Sequence, residues 1–490
     1  MFRGVSKGGV FPPAPAETKN HKKGDFYMKK VVKIGIVPIK RGFTDIVSAV
    51  EQKELFLAKC KEIAPEQVEL VDLEGVLPEG ILYADTQLDA TAAFLKEQKV
   101  DALFLPHCDF GNEEVVGRIG AMMRLPVLVW GNRDPLPNPG TRDRDTQCGT
   151  LASTKCLQRY KVPFSYIINS DVNGEMFKKG FVDFCAVASV VKKAKGIRIL
   201  QVGSRPQPFL SVMYNEDELL RRFGVEITPY SSAILALDVQ KILETRLDEV
   251  DAGVAEYAAK VDCSKMPLEN QRAMQALKLA IVDMVKKSDS DAVALECWTV
   301  LGRAIGVTAC QVNGMLAEMG IPSACETDVL GAISAALLQA ATLDREPIFF
   351  ADITVRHAEE DNTELFWHCG PFPVALAHPN SKPSIAPAGQ GAFELHNGNV
   401  TICRFDAMDG NYTFLSGEGE AVDGPAKGGT YVWVKVKDWE KWEEKLVFGP
   451  YIHHVAGAFG NYSQILCEAC KYIGEVTPDP VDPVAKVLGK

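Results

Sequence analysis

The sequence predicts an α/β protein in which two Rossmann-like doubly wound domains precede a C-terminal antiparallel β domain. Up to about residue 346, short apolar runs alternate with helical patterns, which is typical of parallel sheets covered by helices. After Asp352 the pattern changes to short β-like runs separated by Asn-Gly, Asp-Gly and Gly-Gly turns, which favour antiparallel pairing.

These patterns divide the 490 residues into four segments. Residues 1–28 have no hydrophobic periodicity, and we expect them to be a disordered or artificially added tail. The N-terminal α/β domain is predicted at 29–165, the second α/β domain at 166–346, and a β-rich domain with a final helix at 347–490.

The elements follow from hydrophobic periodicity, taken in chain order. The first domain has predicted strands at 31–39, 68–73, 102–106 and 126–130, helices near 44–63, 87–98 and 113–124, and a loop at 135–149. The second has strands at 164–168, 197–202, 292–298 and a run ending at 325, with helices near 176–194, 214–223, 234–260, 269–287 and 329–343. The last begins with a strand at 348–353, continues with β-like runs at 363–370, 391–406, 411–416 and 430–436, and ends with a helix near 461–473 and an irregular tail.

Composition favours an ordinary globular enzyme, with 47% apolar and 24% charged residues. A net charge of −11 argues against nucleic acid or an anionic membrane surface as a partner. No apolar run reaches the roughly 18 residues that a membrane span requires. The 13 cysteines are scattered and odd in number, and the chain shows no secretory signal, so we expect reduced thiols in the cytoplasm.

Two carboxylates close the strands on either side of the helix predicted at 329–343. Glu326 follows the first strand and Asp352 ends the second. If these strands are parallel neighbours, a right-handed crossover would bring both carboxyl ends to one edge, with strand axes about 5 Å apart. A divalent cation such as Mn²⁺ or Mg²⁺ would then keep both acids ionised. Alternatively, Glu326 is solvated and Asp352 belongs to a turn; for Asp328 we accept the role of helix cap.

Other strand ends also carry polar groups that could face a ligand. Glu296 and Trp298 end the strand at 292–298, although a solvated strand end explains them equally well. The turn Gly-Ser-Arg-Pro could present Arg205 to an anion or to sugar hydroxyls. His453 and His454 lie in a Gly-flanked loop, where adjacent side chains should point to opposite sides, so that at most one binds a metal.

The segment Cys-Glu-Thr-Asp-Val-Leu-Gly-Ala (325–332), followed by Phe-Phe-Ala-Asp (349–352), resembles the active-site segment of the L-fucose isomerases and, more distantly, of the L-arabinose isomerases. The resemblance implies a fucose isomerase-like fold with Glu326 and Asp352 as catalytic carboxylates that both bind Mn²⁺. Mg²⁺ or Co²⁺ would be possible substitutes.

The same resemblance implies the remaining site residues. His454 would bind the metal and His453 the sugar, while His368 and Cys369 would contact the substrate. Arg41 would reach the active site of a neighbouring subunit, so the resemblance also implies a homo-oligomer, a hexamer in that family.

The chemistry that this set implies is interconversion of an aldose and a ketose through an enediolate, with Glu326 and Asp352 as the acid/base pair. Two alternatives stay open. The chain could be a non-catalytic sugar-binding or sensor protein, since two Rossmann-like lobes with a cleft also describe such binders. It could also be an epimerase that acts on a modified, anionic sugar, which Arg205 or Arg41 would contact.

Overall fold

The computed structural model describes residues 32–136, 144–297 and 299–490. The expectations for the tail at 1–28 and for Trp298 therefore lie outside the described residues. Two parallel α/β sheets are followed by an antiparallel six-stranded β-barrel, which confirms the predicted fold class. The domain boundaries remain predictions of the sequence.

The first sheet contains five parallel strands in the order β2-β1-β3-β4-β5. β1 is shorter than predicted because Pro38, which has no backbone N–H, follows it closely. The pair Ser165–Tyr166 joins β4 in this sheet, although the pattern had assigned it to the second α/β unit. The elements are β1 (Val32–Ile36), α1 (Ile46–Ile63), β2 (Val68–Val71), α2 (Leu88–Glu97), β3 (Ala102–His107), α3 (Glu113–Met123), β4 (Val127–Gly131), α4 (Thr146–Arg159), β5 (Ser165–Tyr166) and α5 (Glu175–Ala194).

The second sheet contains four parallel strands in the order β7-β6-β8-β9. The single helix predicted at 234–260 is two helices that meet at Arg246. The elements are β6 (Arg198–Val202), α6 (Glu216–Phe223), β7 (Glu226–Tyr230), α7 (Ser232–Thr245), α8 (Leu247–Ala258), α9 (Leu268–Ser288), β8 (Ala292–Leu295), α10 (Leu301–Ile305), α11 (Cys310–Glu318), β9 (Ser323–Cys325) and α12 (Val329–Ala341).

Antiparallel strands close the barrel in the order β10-β11-β16-β15-β14-β17, and β17 pairs back onto β10. β13 adds to β16, and β18 adds to β15. The elements are β10 (Phe349–Arg356), β11 (Thr363–His368), β12 (Ser384–Ile385), β13 (Gly391–Glu394), β14 (Gly398–Met408), β15 (Asn411–Val422), β16 (Thr430–Val436), α13 (Trp439–Phe448), β17 (His454–Phe459), α14 (Ser463–Ile473) and β18 (Val476–Pro480).

Two predictions for the C-terminal part are wrong. His454 does not lie in a loop, because it begins β17 and pairs with Asp352 of β10. The tail after α14 is not irregular throughout, because Val476–Pro480 forms a strand parallel to β15. Both errors have the same cause: each of these strands is defined by its pairing partner, which a local pattern does not reveal.

α12 is buried along its whole length and connects the second sheet to the barrel. It is apolar on all sides and packs against α5, β8, β14 and β17. The sequence raised the possibility that the strands that flank α12, β9 and β10, are parallel neighbours, but they belong to different sheets. β9 is at the edge of the second sheet, and β10 lies in the barrel between β11 and β17. Glu326 directly follows β9, whereas Asp352 lies in the middle of β10 and does not end that strand as predicted, so the two carboxylates meet across an interface between two sheets.

The hydrophobic cores of the sheets and of the barrel consist of the apolar faces of these elements. Over the described ranges, none of the helices combines the length and the apolar character that a membrane crossing needs.

Candidate active site

A strained turn positions Glu326 directly after β9. Glu326 and Thr327 both have left-handed backbone conformations, with φ of 55° and 59°. Such angles are unfavourable for residues other than glycine, above all for a β-branched threonine, and they concentrate at functional sites. Asp328 then begins α12, because its side chain accepts a hydrogen bond of 2.9 Å from the Gly331 N–H. The turn holds the Glu326 carboxylate in a buried position at the start of the helix.

The barrel supplies the groups that face Glu326. Asp352 of β10 lies directly opposite His454 of β17, so the two side chains project from the same face of the antiparallel pair. His368 is the last residue of β11, the other neighbour of β10. One strand pair and the end of a third strand thus bring a carboxylate and two imidazoles together.

Two carboxylate oxygens and two imidazole nitrogens form a compact cluster. His454 Nε2 lies 3.7 Å from Glu326 Oε2 and 3.5 Å from Asp352 Oδ1. His368 Nε2 lies 3.7 Å and 3.8 Å from the same two oxygens. These separations are too long for hydrogen bonds. Ligands that surround one cation at about 2.1 Å in a tetrahedral arrangement are about 3.4 Å apart, close to the distances in this cluster.

Burial without hydrogen bonds supports the same interpretation. Among the residues that the structure describes, Glu326 Oε2, Asp352 Oδ1 and His368 Nε2 are buried and have no hydrogen-bond partner. Leaving such groups unpaired costs free energy, and a cation at their centre would satisfy all three. A ligand atom of His453 also lies within 4.8 Å of those of Asp352 and His454. The residues therefore fit a divalent cation.

The cluster favours an ionised carboxylate at Glu326. Burial alone would raise the pKa of Glu326, but the attraction of His368 and His454 outweighs burial and lowers that pKa. Burial would lower the pKa of His368, but the carboxylates of Glu326 and Asp352 outweigh burial and raise that pKa. For His453, burial and the neighbouring His454 lower the pKa.

A second set of buried charges lies behind His454. The Nδ1 of His454 is 3.0 Å from Asp328 Oδ2, and Arg404 donates to both oxygens of Asp328. The Arg404 Nε–H also donates to Asp406 over 2.8 Å. Burial would raise the pKa of Asp328, but the charge of Arg404 and the contact with His454 hold it well below its usual range. Asp328 is therefore more than the helix cap that the sequence suggested.

Arg404 and Asp406 were not identified from the sequence. A signal was present, because the two charged residues are two positions apart in the otherwise apolar run of β14. Side chains at that spacing project from the same face of a strand. Opposite charges on one face of a buried strand indicate a partner inside the protein.

Glu296 directly follows β8 and is buried, which is not the solvated strand end that the sequence left open as an alternative. Its Oε2 accepts a hydrogen bond of 2.7 Å from the Ser232 hydroxyl, whereas Oε1 has no partner among the described residues. The loop that begins at Gly203 passes so close that a Cβ on this glycine would lie 2.6 Å from Glu296 Oε2. This position therefore requires glycine.

Arg205 lies in the loop that starts at this glycine. Its Nη1 donates to the carbonyls of Pro206 and Gln207, over 3.1 and 3.2 Å. Further along the loop, the Phe209 ring lies 6.5 Å from the His454 ring, centroid to centroid. The loop thus begins beside Glu296 at Gly203 and approaches the cluster at Phe209, and Arg205 lies between these two points in the sequence.

Cysteines also lie close to Glu326. The Cys297 thiol donates to Glu326 Oε1 over 3.4 Å, and Sγ of Cys325 is within 4.8 Å of both groups. The contact with Cys297 and burial raise the pKa of Cys325. The Sγ of Cys369, a predicted substrate contact, lies 3.2 Å from Cys310 Sγ and 3.2 Å from His368 Nδ1.

Two further residues, Trp298 and Arg41, are predicted substrate contacts. Trp298 lies outside the described residues. The Arg41 guanidinium stacks over the Phe110 ring at 3.5 Å in the first α/β unit, and the described part of this chain shows no contact between Arg41 and the cluster. The His453 and His454 rings lie side by side, 4.5 Å apart, rather than on opposite sides.

Comparison with known proteins gives concordant results. The family model of the fucose/sulfoquinovose isomerase N-terminal domain matches residues 35–195. The sulfoquinovose isomerase of Priestia aryabhattai is 26% identical over 402 residues, 79% of this chain and 85% of that protein. The sulfoquinovose isomerase of Alkalicoccus urumqiensis is 27% identical over 369 residues, 72% and 80% of the two chains.

A solved structure of an ABC transporter periplasmic solute-binding protein from Actinobacillus succinogenes, with bound D-allose, is 12% identical and covers 64% of this chain and 92% of that chain. Its TM-score of 0.16 is too low to support an argument.

Together with these sequence matches, the fold and the cluster place the protein among the aldose–ketose isomerases. Residues 35–195 match the fucose/sulfoquinovose isomerase family, and the relatives named sulfoquinovose isomerase are similar over most of the chain, which confirms the resemblance seen in the sequence.

Proposed function

We propose that the protein is a divalent-metal-dependent isomerase that interconverts a sugar sulfonate, sulfoquinovose, and its ketose, with Glu326 and Asp352 as the acid/base pair. One observation carries the metal-dependent chemistry: each of two imidazole nitrogens lies 3.5–3.8 Å from the same two carboxylate oxygens, and three of these buried atoms have no hydrogen-bond partner among the described residues.

Glu326, Asp352 and His454 would hold the cation, as the sequence suggests. We add His368 as a fourth candidate ligand in place of a substrate contact, because its Nε2 lies 3.7 and 3.8 Å from the two carboxylates, close to the 3.7 and 3.5 Å of His454 Nε2. Two carboxylates and two imidazoles suit Mn²⁺, and Mg²⁺ or Co²⁺ remain alternatives. When bound, the cation would act as a Lewis acid that stabilises negative charge on the sugar oxygens.

The two carboxylates differ in access to the sugar. The Asp352 side chain is 23% exposed and Glu326 only 9%. One carboxylate takes the proton from C2 of the aldose and returns it to C1, while the other transfers the hydroxyl proton. The lowered pKa of Glu326 keeps this residue in its basic form at neutral pH. Positioned proton transfer of this kind contributes about 10²–10⁴-fold to the rate.

The relatives named sulfoquinovose isomerase suggest the substrate. A sulfonate on the sugar agrees with the anionic sugar that Arg205 led us to consider. We propose that Arg205 pairs with the sulfonate, because the guanidinium fork suits oxyanions and its loop runs beside the cluster. The unpaired Oε1 of Glu296 would accept a hydrogen bond from a sugar hydroxyl, and His453 would contact the sugar beside Asp352.

A homo-oligomer, hexameric by family resemblance, remains part of the proposal. The apolar side chains of Phe43 and Val47, close to Arg41 in the sequence, are 82% and 62% exposed. Contact with a neighbouring subunit would cover them and bring Arg41 to the partner's active site. Light scattering of the purified protein should therefore give a mass several times that of one chain.

The deciding experiment combines metal reconstitution with isotope exchange. Protein treated with chelator and reloaded with Mn²⁺ is incubated in D₂O with sulfoquinovose, D-glucose or L-fucose. The proposal predicts a ketose that carries deuterium at C1 and forms fastest from sulfoquinovose. Binding without conversion would support the sugar-binding alternative, and an epimeric aldose would support the epimerase.

A pair of matched variants tests the role of Glu326. Glu326→Gln should abolish conversion, whereas Glu364→Gln, which changes a buried glutamate on β11 in the same way, should retain it. Equal rates for the two variants would refute the role of Glu326.

Arg205→Met should raise KM for sulfoquinovose and leave KM for D-glucose unchanged; equal effects on both sugars would argue against a sulfonate contact.

A further inference from the structure

Arg404 is a fully buried cation that touches none of the four cluster atoms. It lies in β14, with no exposed surface, and both of its partners are buried carboxylates. Moving a charged group out of water is expensive unless partners and hydrogen bonds compensate, and an apolar side chain at this position would often be equally stable. The presence of a cation here calls for a role beyond packing.

The contacts of Arg404 fix the plane of one carboxylate. Its Nη1 donates to Asp328 Oδ2, and Nη2 donates to Oδ1 over 3.1 Å. This two-point pairing orients a carboxylate as well as neutralising it. The third donor, Nε–H, is held by Asp406 at 2.8 Å, which prevents the guanidinium from rotating. Asp328 is therefore oriented from within the barrel as well as from its own helix.

The orientation of Asp328 determines which nitrogen of His454 carries the proton. Asp328 accepts hydrogen bonds from the Gly331 N–H and from the two Arg404 amino groups. Because an ionised carboxylate only accepts, the Nδ1 of His454 at 3.0 Å must carry its proton. In a neutral imidazole, Nε2 is then left with a lone pair, and Nε2 is the nitrogen that faces Glu326 and Asp352.

We propose that Arg404 is a positioning residue for the metal site, which acts through Asp328 to fix the ring orientation and the tautomer of His454. This inference rests on the proposed metal-dependent function, but its test does not depend on activity. Groups that orient metal-binding histidines typically change metal affinity by about 10–100-fold when they are removed.

The test compares three variants. Arg404→Met removes the guanidinium at similar volume, Arg404→Lys keeps the charge without the two-point pairing, and Lys193→Met is the matched control. Lys193, whose side chain is 14% exposed, forms an ion pair with the buried Asp291 at 2.8 Å, and it is not part of the cluster or of the charges behind it. Mn²⁺ affinity is measured from the spin-resonance signal of free Mn²⁺, thermal melting reports folding, and nitrogen NMR of ¹⁵N-histidine protein without metal reports the tautomer of His454.

We expect Arg404→Met to weaken Mn²⁺ binding at least tenfold and to lose the single Nδ1–H tautomer, Arg404→Lys to recover part of the affinity, and Lys193→Met to lower only the melting temperature. If folded Arg404→Met binds Mn²⁺ like the wild type and keeps the tautomer, the inference is overturned. Should that variant fail to fold, Arg404→Lys and Asp406→Asn decide by the same two measurements. Absence of Mn²⁺ binding by the wild type would instead overturn the proposed function, and the tautomer would still decide the role of Arg404.

Discussion

Gly331→Ala is an informative perturbation because helix propensity and the structure predict opposite results. Gly331 lies in the first turn of α12, where alanine should stabilise the helix by about 1 kcal/mol. A Cβ at this position would, however, lie 2.6 Å from Asp328 Oδ2 and 2.6 Å from Cζ of Phe350. Overpacking of this kind costs about 1–3 kcal/mol, so we expect a net destabilisation of up to about 2 kcal/mol.

The clash should also affect the metal site. The Oδ2 atom of Asp328 contacts His454 Nδ1, and the Phe350 ring packs edge-on against the His454 ring at 5.4 Å. Displacement of both supports should weaken Mn²⁺ binding by about tenfold or more. Urea unfolding midpoints and Mn²⁺ titrations measure the two effects. Gly302→Ala in α10 is the control, because a Cβ there meets nothing within 4 Å. A Gly331→Ala protein that is more stable than the wild type and binds Mn²⁺ equally well would refute this reasoning.

Three further predictions concern the metal, the pH dependence of stability and the sugar. Removing the cation with a chelator should abolish conversion and lower the melting temperature, since a ligand at 100 times its Kd stabilises the native state by about 2.7 kcal/mol; melting that is indifferent to chelation would argue against a metal bound by the native protein. Burial and the charge of Glu443 raise the pKa of Glu364 to about 7, so its contribution to stability is present below the unfolded pKa and is lost as the pH rises through 7. Glu364→Gln should therefore raise the unfolding midpoint at pH 8 and change it little at pH 5, and the reverse order would contradict the assignment. Glu296→Gln should raise KM for the sugar while Mn²⁺ affinity, measured by titration, stays unchanged; a loss of Mn²⁺ affinity would place Glu296 among the metal ligands.

The sequence alone determined the class of fold and part of the candidate site. Alternating strand and helix patterns indicated parallel sheets, and Gly-rich turns after Asp352 indicated antiparallel pairing, because both signals are local. The motif around Glu326, together with Asp352 and His454, supplied three members of the cluster. The helix start at Asp328 is a local feature beside Glu326 that a pattern can locate, whereas His454 was indicated by the resemblance to known isomerases.

Only the tertiary structure decided how these groups meet. β9 and β10 belong to different sheets, so the carboxylates converge across the interface that α12 occupies and not along one sheet edge. Closure of the barrel placed His454 opposite Asp352, brought His368 to the same oxygens and aligned Arg404 behind Asp328. The physical reason is that pairing partners of strands, and the partners of buried charges, are set by contacts between residues far apart in the chain, which local hydrophobicity and turn chemistry do not encode.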